Sequence, residues 1–83
     1  MALSVDTNIL VYALNQDSDV HELARGFLES LAPRTDVVIA EPALVELYLL
    51  IRNPTIFPNP YPAAQAVDAC RTFARNPNWR IVE

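Results

Sequence analysis

The middle of the chain reads VVIAEPALVELYLLIR, from Val37 to Arg52. Its first four residues, Val37 to Ala40, are apolar without alternation, which is typical of a strand buried on both faces, as in a parallel sheet. Pro42 then suits the first turn of a helix that runs to about Arg52. A buried strand that leads at once into a helix predicts an α/β fold.

The clearest helical pattern precedes this stretch. Apolar residues recur there at i, i+3, i+4, i+7, i+8 and i+11, which is one face of an amphipathic α-helix. They are Val20, Leu23, Ala24, Phe27, Leu28 and Leu31. After the stretch, the prolines between residues 53 and 62 predict an extended loop.

The predicted elements alternate along the whole chain. Strands are predicted at residues 2–5, 37–40 and 79–82, and helices from about residue 7, at 20–31, at 42–52 and at 63–74. This β-α-α-β-α-α-β order predicts an α/β layer structure with parallel strands. A typical sheet has about five or six strands, and only three are predicted here. We therefore interpret residues 1–83 as a single incomplete domain, the first part of a larger one.

The composition limits the classes of function. A net charge of −4 without any lysine is unfavourable for nucleic-acid binding unless metal ions or arginine clusters offset the carboxylates. A single glycine excludes a glycine-rich phosphate loop, and a single cysteine favours a reducing cytoplasm. No apolar run reaches about 18 residues and no leader pattern appears, so neither a membrane span nor a signal peptide is predicted.

Asp6 is the first candidate functional residue. It would follow the carboxyl end of the first strand, where ligands collect in open α/β sheets. An aspartate at this position is also a common helix N-cap, so the sequence leaves both readings open.

Glu46 is the second candidate. A carboxylate on an apolar helix surface must find a partner, accept a proton or destabilise the fold. Metal coordination would resolve this, and the alternative is a side chain that reaches solvent or Arg52. Because its helix follows the second strand, Glu46 could converge with Asp6. The neighbours of Glu46 at i±3 and i±4 are Pro42, Ala43, Leu49 and Leu50.

Two converging carboxylates with the amide of Asn8 nearby predict a hard cation, Mg²⁺ or Mn²⁺. Such a site holds a phosphate-bearing substrate and delivers an activated water to it. The other polar candidates are interpreted more simply. We interpret His21 as a solvated residue and Cys70 as a core residue. Arg71 and Arg75 are interpreted as part of a solvated helix face, and contact with phosphate is the alternative.

Two segments carry a family resemblance. The segment DTNILVYA, residues 6–13, resembles the opening motif of PIN-domain nucleases. The segment ALVELYLLIRNP, residues 43–54, resembles their second acidic motif, especially in toxins of the virulence-associated protein C type. The following IFP and its proline-rich loop are similar to one branch of those toxins. The resemblance covers nearly all 83 residues.

The resemblance implies a PIN-like, Rossmann-like parallel sheet with flanking helices and a ribonuclease that depends on Mg²⁺ or Mn²⁺. Asp6 and Glu46 match the first two acidic metal ligands of the family. Asn8 matches a polar position beside the site, and with Arg52 it is assigned to substrate binding. The resemblance also implies an RNA substrate, a cognate antitoxin and a dimer.

The chain departs from the family pattern at its end. The family supplies further acidic ligands from a second half, and Glu83 does not lie in a recognisable copy of those motifs. We therefore expect a fold truncated after the third strand, which lacks full activity on its own and whose first strand is an exposed edge. Such an edge predicts pairing with another chain, edge to edge or by strand exchange.

Two other readings compete with a nuclease. One is a non-catalytic remnant of the same fold that dimerises or binds an antitoxin, with Asp6 serving only as a cap. The other is an α/β phosphatase or phosphoacceptor domain, which also places an aspartate after its first strand. The latter ranks last, because Asp6-Thr7-Asn8 lacks a second aspartate and a following Gly-Thr.

Overall fold

The computed structural model describes residues 2–83 and has the predicted order of elements. The first strand is shorter than predicted, the second helix begins one residue later, and the third strand begins after Trp79. The α/β fold with a parallel sheet is confirmed. The elements are β1 (Leu3–Ser4), α1 (Thr7–Leu14), α2 (His21–Leu31), β2 (Val37–Ala40), α3 (Glu41–Ile51), α4 (Ala63–Ala74) and β3 (Arg80–Val82).

The three strands form one parallel sheet in the order β1-β2-β3. In the register, Leu3 pairs with Val37 and Ile39 pairs with Ile81. Val37 and Ile39 of the central strand are fully buried, whereas Val38 and Ala40 on its other face are only partly buried. Because all strands are parallel, their carboxyl ends share one edge of the sheet.

The core lies between this sheet and the helices that follow its strands. Helix α1 packs against both α2 and α3, and α3 packs against α4. Burial of large aliphatic side chains is the main favourable contribution to a fold of this size. The largest fully buried side chains are Leu10, Ile39, Leu47, Ile51 and Val37.

Helix α2 buries a narrower face than its sequence pattern indicates. Ala24, Leu28 and Leu31 are buried, but Leu23 is 74% exposed and Phe27 is 46% exposed. The helix packs on α1 with one side only, so the outer half of its apolar face is left largely uncovered within residues 2–83. Between this outer half and α1 lies an open cleft of about 340 Å³, which we call the α1/α2 patch. It is lined by Ile9, Tyr12, Val20, Leu23, Ala24 and Phe27.

The segment before β3 is fixed to the end of α2. The indole Nε1–H of buried Trp79 donates a hydrogen bond of 2.9 Å to the carbonyl of Leu31. The side-chain amides of Asn76 and Asn78 donate to the carbonyl of Ala32 at 3.2 and 3.1 Å. These contacts satisfy carbonyls at the end of α2 and position the start of β3 beside β2.

Replacing Trp79 with phenylalanine is expected to lower the free energy of unfolding by about 1–3 kcal/mol. The Leu31 carbonyl loses one of its two donors and keeps the backbone N–H of Arg34, and the smaller ring fills less of the buried site. Urea denaturation followed by circular dichroism measures the change. Asn78→Ala is the matched control, because Ala32 keeps its bond from Asn76 and should lose less. Equal losses in the two variants would contradict this account of the segment.

Helices that could cross a membrane are absent from the described part of the chain, since none is both long and apolar enough.

Candidate active site

Asp6 lies directly after β1 and caps α1. Its backbone is extended, with φ −77° and ψ 146°, and its carboxylate accepts a long hydrogen bond of 3.5 Å from the backbone N–H of Asn8. The predicted capping role is therefore confirmed. Because Asp6 is exposed and the cap uses one carboxylate oxygen, the second oxygen stays accessible to a ligand.

The parallel register brings Asp6 to the start of α3. The backbone N–H of Val5 donates to the carbonyl of Val38 at 3.1 Å, and Ser4 pairs with Val38. Two residues further along each strand, Asp6 lies at the level of Ala40, immediately before α3 begins. Asp6 therefore lies at the carboxyl edge of the sheet, as predicted.

Glu46 lies in the second turn of α3, about 7.5 Å along the helix axis from Glu41 at 1.5 Å per residue. Its side chain is exposed, and so are the neighbouring Val45, at 57%, and Leu49, at 62%. Of the alternatives that the sequence left open, the structure has the side chain that reaches solvent, although Ala43 and Leu50 beside it are partly buried against the core. Within residues 2–83, no cationic group lies within ion-pair distance of Glu46.

The two residues assigned to substrate binding lie in different places. Asn8 is exposed in the first turn of α1, beside Asp6. Arg52 follows the end of α3, about 9 Å along the axis from Glu46. Its guanidinium donates to the hydroxyl of Tyr48 at 3.1 Å and lies 5.5 Å from the centre of that ring. The structure brings Asn8 to Asp6 and joins Arg52 to Tyr48.

Carboxylate oxygens are suitable ligands for a hard cation, but Asp6 and Glu46 alone supply too few of them. Asp6 and Glu46 offer carboxylates, which Mg²⁺ and Mn²⁺ prefer, yet an octahedral ion needs six ligands. In the part of the chain that the structure describes, no three His, Cys, Asp or Glu side chains lie close enough to hold a metal ion. Water, substrate phosphate or side chains from elsewhere would have to complete the shell.

Perturbed titrating groups lie away from Asp6 and Glu46. Arg34 donates to Asp36 at 2.8 Å, just before β2, which lowers the pKa of Asp36 and raises the pKa of Arg34. Burial raises the pKa of the Cys70 thiol, which donates to the carbonyl of Leu44 at 3.7 Å. Cys70 is half-buried between α3 and α4, so its predicted core position is partly correct.

Sequence reasoning missed the contact between Tyr48 and Arg52. The two residues are four apart on one helix, a spacing at which side chains meet on the same face. An aromatic ring one turn before an arginine is a recognisable signal for such a pair.

The chain that carries these two acidic residues also matches a known protein family. The PIN domain family model matches residues 3–82. The chain belongs to the PIN domain family. The resemblance drawn from the Asp6 and Glu46 segments is thereby confirmed, and the three-stranded parallel sheet is consistent with it.

Two curated relatives of this PIN domain are each named Ribonuclease VapC24, from Mycobacterium tuberculosis strains CDC 1551 / Oshkosh and ATCC 25618 / H37Rv. Each is 47% identical to the chain over 81 residues, which are 98% of this chain and 56% of the relative. The chain therefore spans a little more than half the length of these relatives.

Proposed function

We propose that this PIN domain carries part of the active site of a divalent-metal-dependent ribonuclease of the VapC toxin type. The observation that carries the proposal is 47% identity to Ribonuclease VapC24 across 98% of the chain. The positions of Asp6 at the carboxyl edge and Glu46 on α3 support it.

Asp6 and Glu46 would hold Mg²⁺ or Mn²⁺, which when bound activates a water and stabilises charge on the scissile phosphate. The cap of α1 uses one oxygen of the exposed Asp6 carboxylate at the sheet edge, which leaves the other oxygen for the ion. Asn8 would donate from its amide to a phosphate oxygen beside Asp6. Arg52, whose guanidinium donates to Tyr48, would contact the RNA further along α3.

A partner protein fits the apolar surface that the fold leaves exposed. The α1/α2 patch exposes Leu23 and Phe27, and β1 is an edge of the sheet. We infer that a second copy of the chain, or an antitoxin, covers such surface in a cytoplasmic complex. Light scattering that shows a clean monomer at tens of micromolar would contradict the dimer.

The exposed patch also favours a second candidate function, a non-catalytic dimerisation or antitoxin-binding module. In this case Asp6 is only a helix cap. A Mn²⁺ titration of the native chain and of Asp6→Asn separates the two functions. Equal affinity in both proteins favours the module, and weaker binding by the variant favours the nuclease.

Replacing Glu46 with glutamine tests the nuclease directly. The variant keeps the shape of the side chain but loses the charge that the ion needs, so Mn²⁺-dependent RNA cleavage should fall by roughly a hundredfold or more. Cleavage is measured on labelled RNA with purified protein.

Glu29→Gln, the same change on the exposed face of α2, is the control and should cleave like the native chain. If native protein and Glu46→Gln cleave equally, Glu46 has no catalytic role. If the native protein cleaves nothing with Mn²⁺, this form is an inactive fragment or a binding module.

A further inference from the structure

An open cleft of about 260 Å³ lies between α3 and α4, on residues that the proposed metal site does not use. We call it the α3/α4 cleft, and it is lined by Glu41, Leu44, Val45, Tyr48, Val67, Cys70 and Arg71. Its surface is almost entirely apolar, although its lining includes the ring of Tyr48, the side chain of Arg71 and one carboxylate residue, Glu41. An aromatic ring and a cation beside an apolar pocket are a combination that a nucleotide can use.

Tyr48 is fixed before any ligand arrives. Arg52 donates to its hydroxyl at 3.1 Å and lies 5.5 Å from the ring centre. The ring is half-buried, so its orientation is restrained by packing as well as by this contact. A pre-ordered ring loses little conformational entropy when a base stacks on it.

The cations near the cleft have no carboxylate partners. Arg71 and Arg75 are exposed one turn apart on α4, and neither is within 4.0 Å of an acidic group of residues 2–83. By contrast, Arg25 pairs with Glu22 and Glu29 on α2. Like charges at this spacing disfavour a helix, and a bound anion would relieve the repulsion.

We propose that the α3/α4 cleft is a base-binding subsite for single-stranded RNA. One base would lie against Tyr48 and the apolar lining, while neighbouring phosphates would contact Arg71 and Arg75. Unpaired bases stack on aromatic rings and arginine planes, and the backbone is held by positive charge. Arg71 and Arg75 outnumber Glu41, the one carboxylate residue of the lining, so the local charge favours a polyanion over an apolar protein segment. The inference rests on the proposed ribonuclease function and adds a specificity site to it.

The subsite lies apart from the proposed cleavage point. At about 100° per residue, Tyr48 lies about 160° around α3 from Glu46. Because a helix with side chains is about 10 Å across, RNA must cross α3 to reach both places. The cleft would therefore hold a nucleotide several positions from the cleaved bond, and very short RNA would not engage it.

Cys70 provides a reporter for the cleft, because it is the only cysteine of the chain and lies in the lining. The rate of its modification by a disulfide reagent is measured with and without RNA of about 12 nucleotides, in EDTA to prevent cleavage. Saturating RNA should slow the reaction several-fold.

Affinity measured by fluorescence anisotropy gives a second test. Loss of one phosphate contact reduces the salt slope for single strands by about 0.7, so Arg71→Gln should bind about fivefold more weakly near 0.1 M salt. Tyr48→Leu should bind roughly tenfold more weakly, because the stacking ring is lost and Arg52 loses its partner. Arg25→Gln, which removes a paired arginine on α2, should bind like the native chain.

The subsite would be overturned if RNA binds without slowing the modification of Cys70. It would also be overturned if Arg71→Gln binds RNA as tightly as Arg25→Gln does, or if the native protein binds no RNA at about 100 µM. Slow modification at high protein concentration without RNA would also overturn it, since a second copy would then cover the cleft. Apart from a complete loss of RNA binding, which would count against the nuclease as well, these results leave the cleavage assay on Glu46→Gln untouched. Failure of the subsite alone and failure of the ribonuclease function are therefore distinguishable.

Discussion

Replacement of Asp6 with asparagine is expected to lower Mn²⁺-dependent RNA cleavage by roughly a hundredfold or more, since metal catalysis supplies several kcal/mol through its ligands. The free energy of unfolding should stay within about 0.5 kcal/mol of that of the native chain, because asparagine caps a helix as well as aspartate does. Cleavage of labelled RNA and urea denaturation of the same preparations measure the two effects.

Asp6→Ala is the companion variant, because it removes both the charge and the cap. It should lose cleavage as Asp6→Asn does and also some stability. Loss of a cap typically costs about 1 kcal/mol, and a smaller loss is expected here because the capping bond is long, at 3.5 Å. If Asp6→Asn keeps native cleavage and only Asp6→Ala loses it, the side chain at position 6 acts by capping the helix and not by binding a metal.

The order of the elements could be predicted from short patterns. The run Val37–Ala40 and the proline that follows it indicate a buried strand and a helix start without information from elsewhere in the chain. The parallel sheet then follows from general rules of connection between strands. Bounds were less certain at β1 and β3, where strand pairing extends over only two or three residues.

The exposure of side chains could not be predicted in the same way. Leu23 and Phe27 have the spacing of core residues, yet they lie outside because only one side of α2 faces α1. Glu46 shows the same difficulty, since Pro42 and Leu49 among its apolar neighbours on α3 are exposed, whereas Ala43 and Leu50 are partly buried. A helical pattern identifies an apolar face but does not state what covers it.

The candidate site was predicted in part. Asp6 lies at the carboxyl edge because strand direction determines that position, and Asn8 lies beside it because the two are in one capping turn. Arg52 was assigned to substrate, but its place depends on Tyr48, a contact between side chains that the motif does not encode. The roles of Asp6 and Glu46 in metal binding stay predictions.

Leu47→Ala is expected to cost about 2–5 kcal/mol of stability, as deletions of fully buried leucines do. A domain of this size has about 4–12 kcal/mol in total, so the variant should be partly unfolded or much less resistant to urea. Leu49→Ala makes the same change two residues later, where the side chain is 62% exposed, and should stay within about 0.5 kcal/mol. Urea denaturation at several protein concentrations measures both variants.

The pair isolates burial, because both leucines lie within α3 and lose the same atoms with the same change in helix propensity. Equal losses would show that another surface covers Leu49 in solution. In that event the dependence on concentration decides the source. If the loss grows with protein concentration, a second chain packs on α3 beside Glu46, and a site completed between two chains becomes the better account of the proposed metal centre.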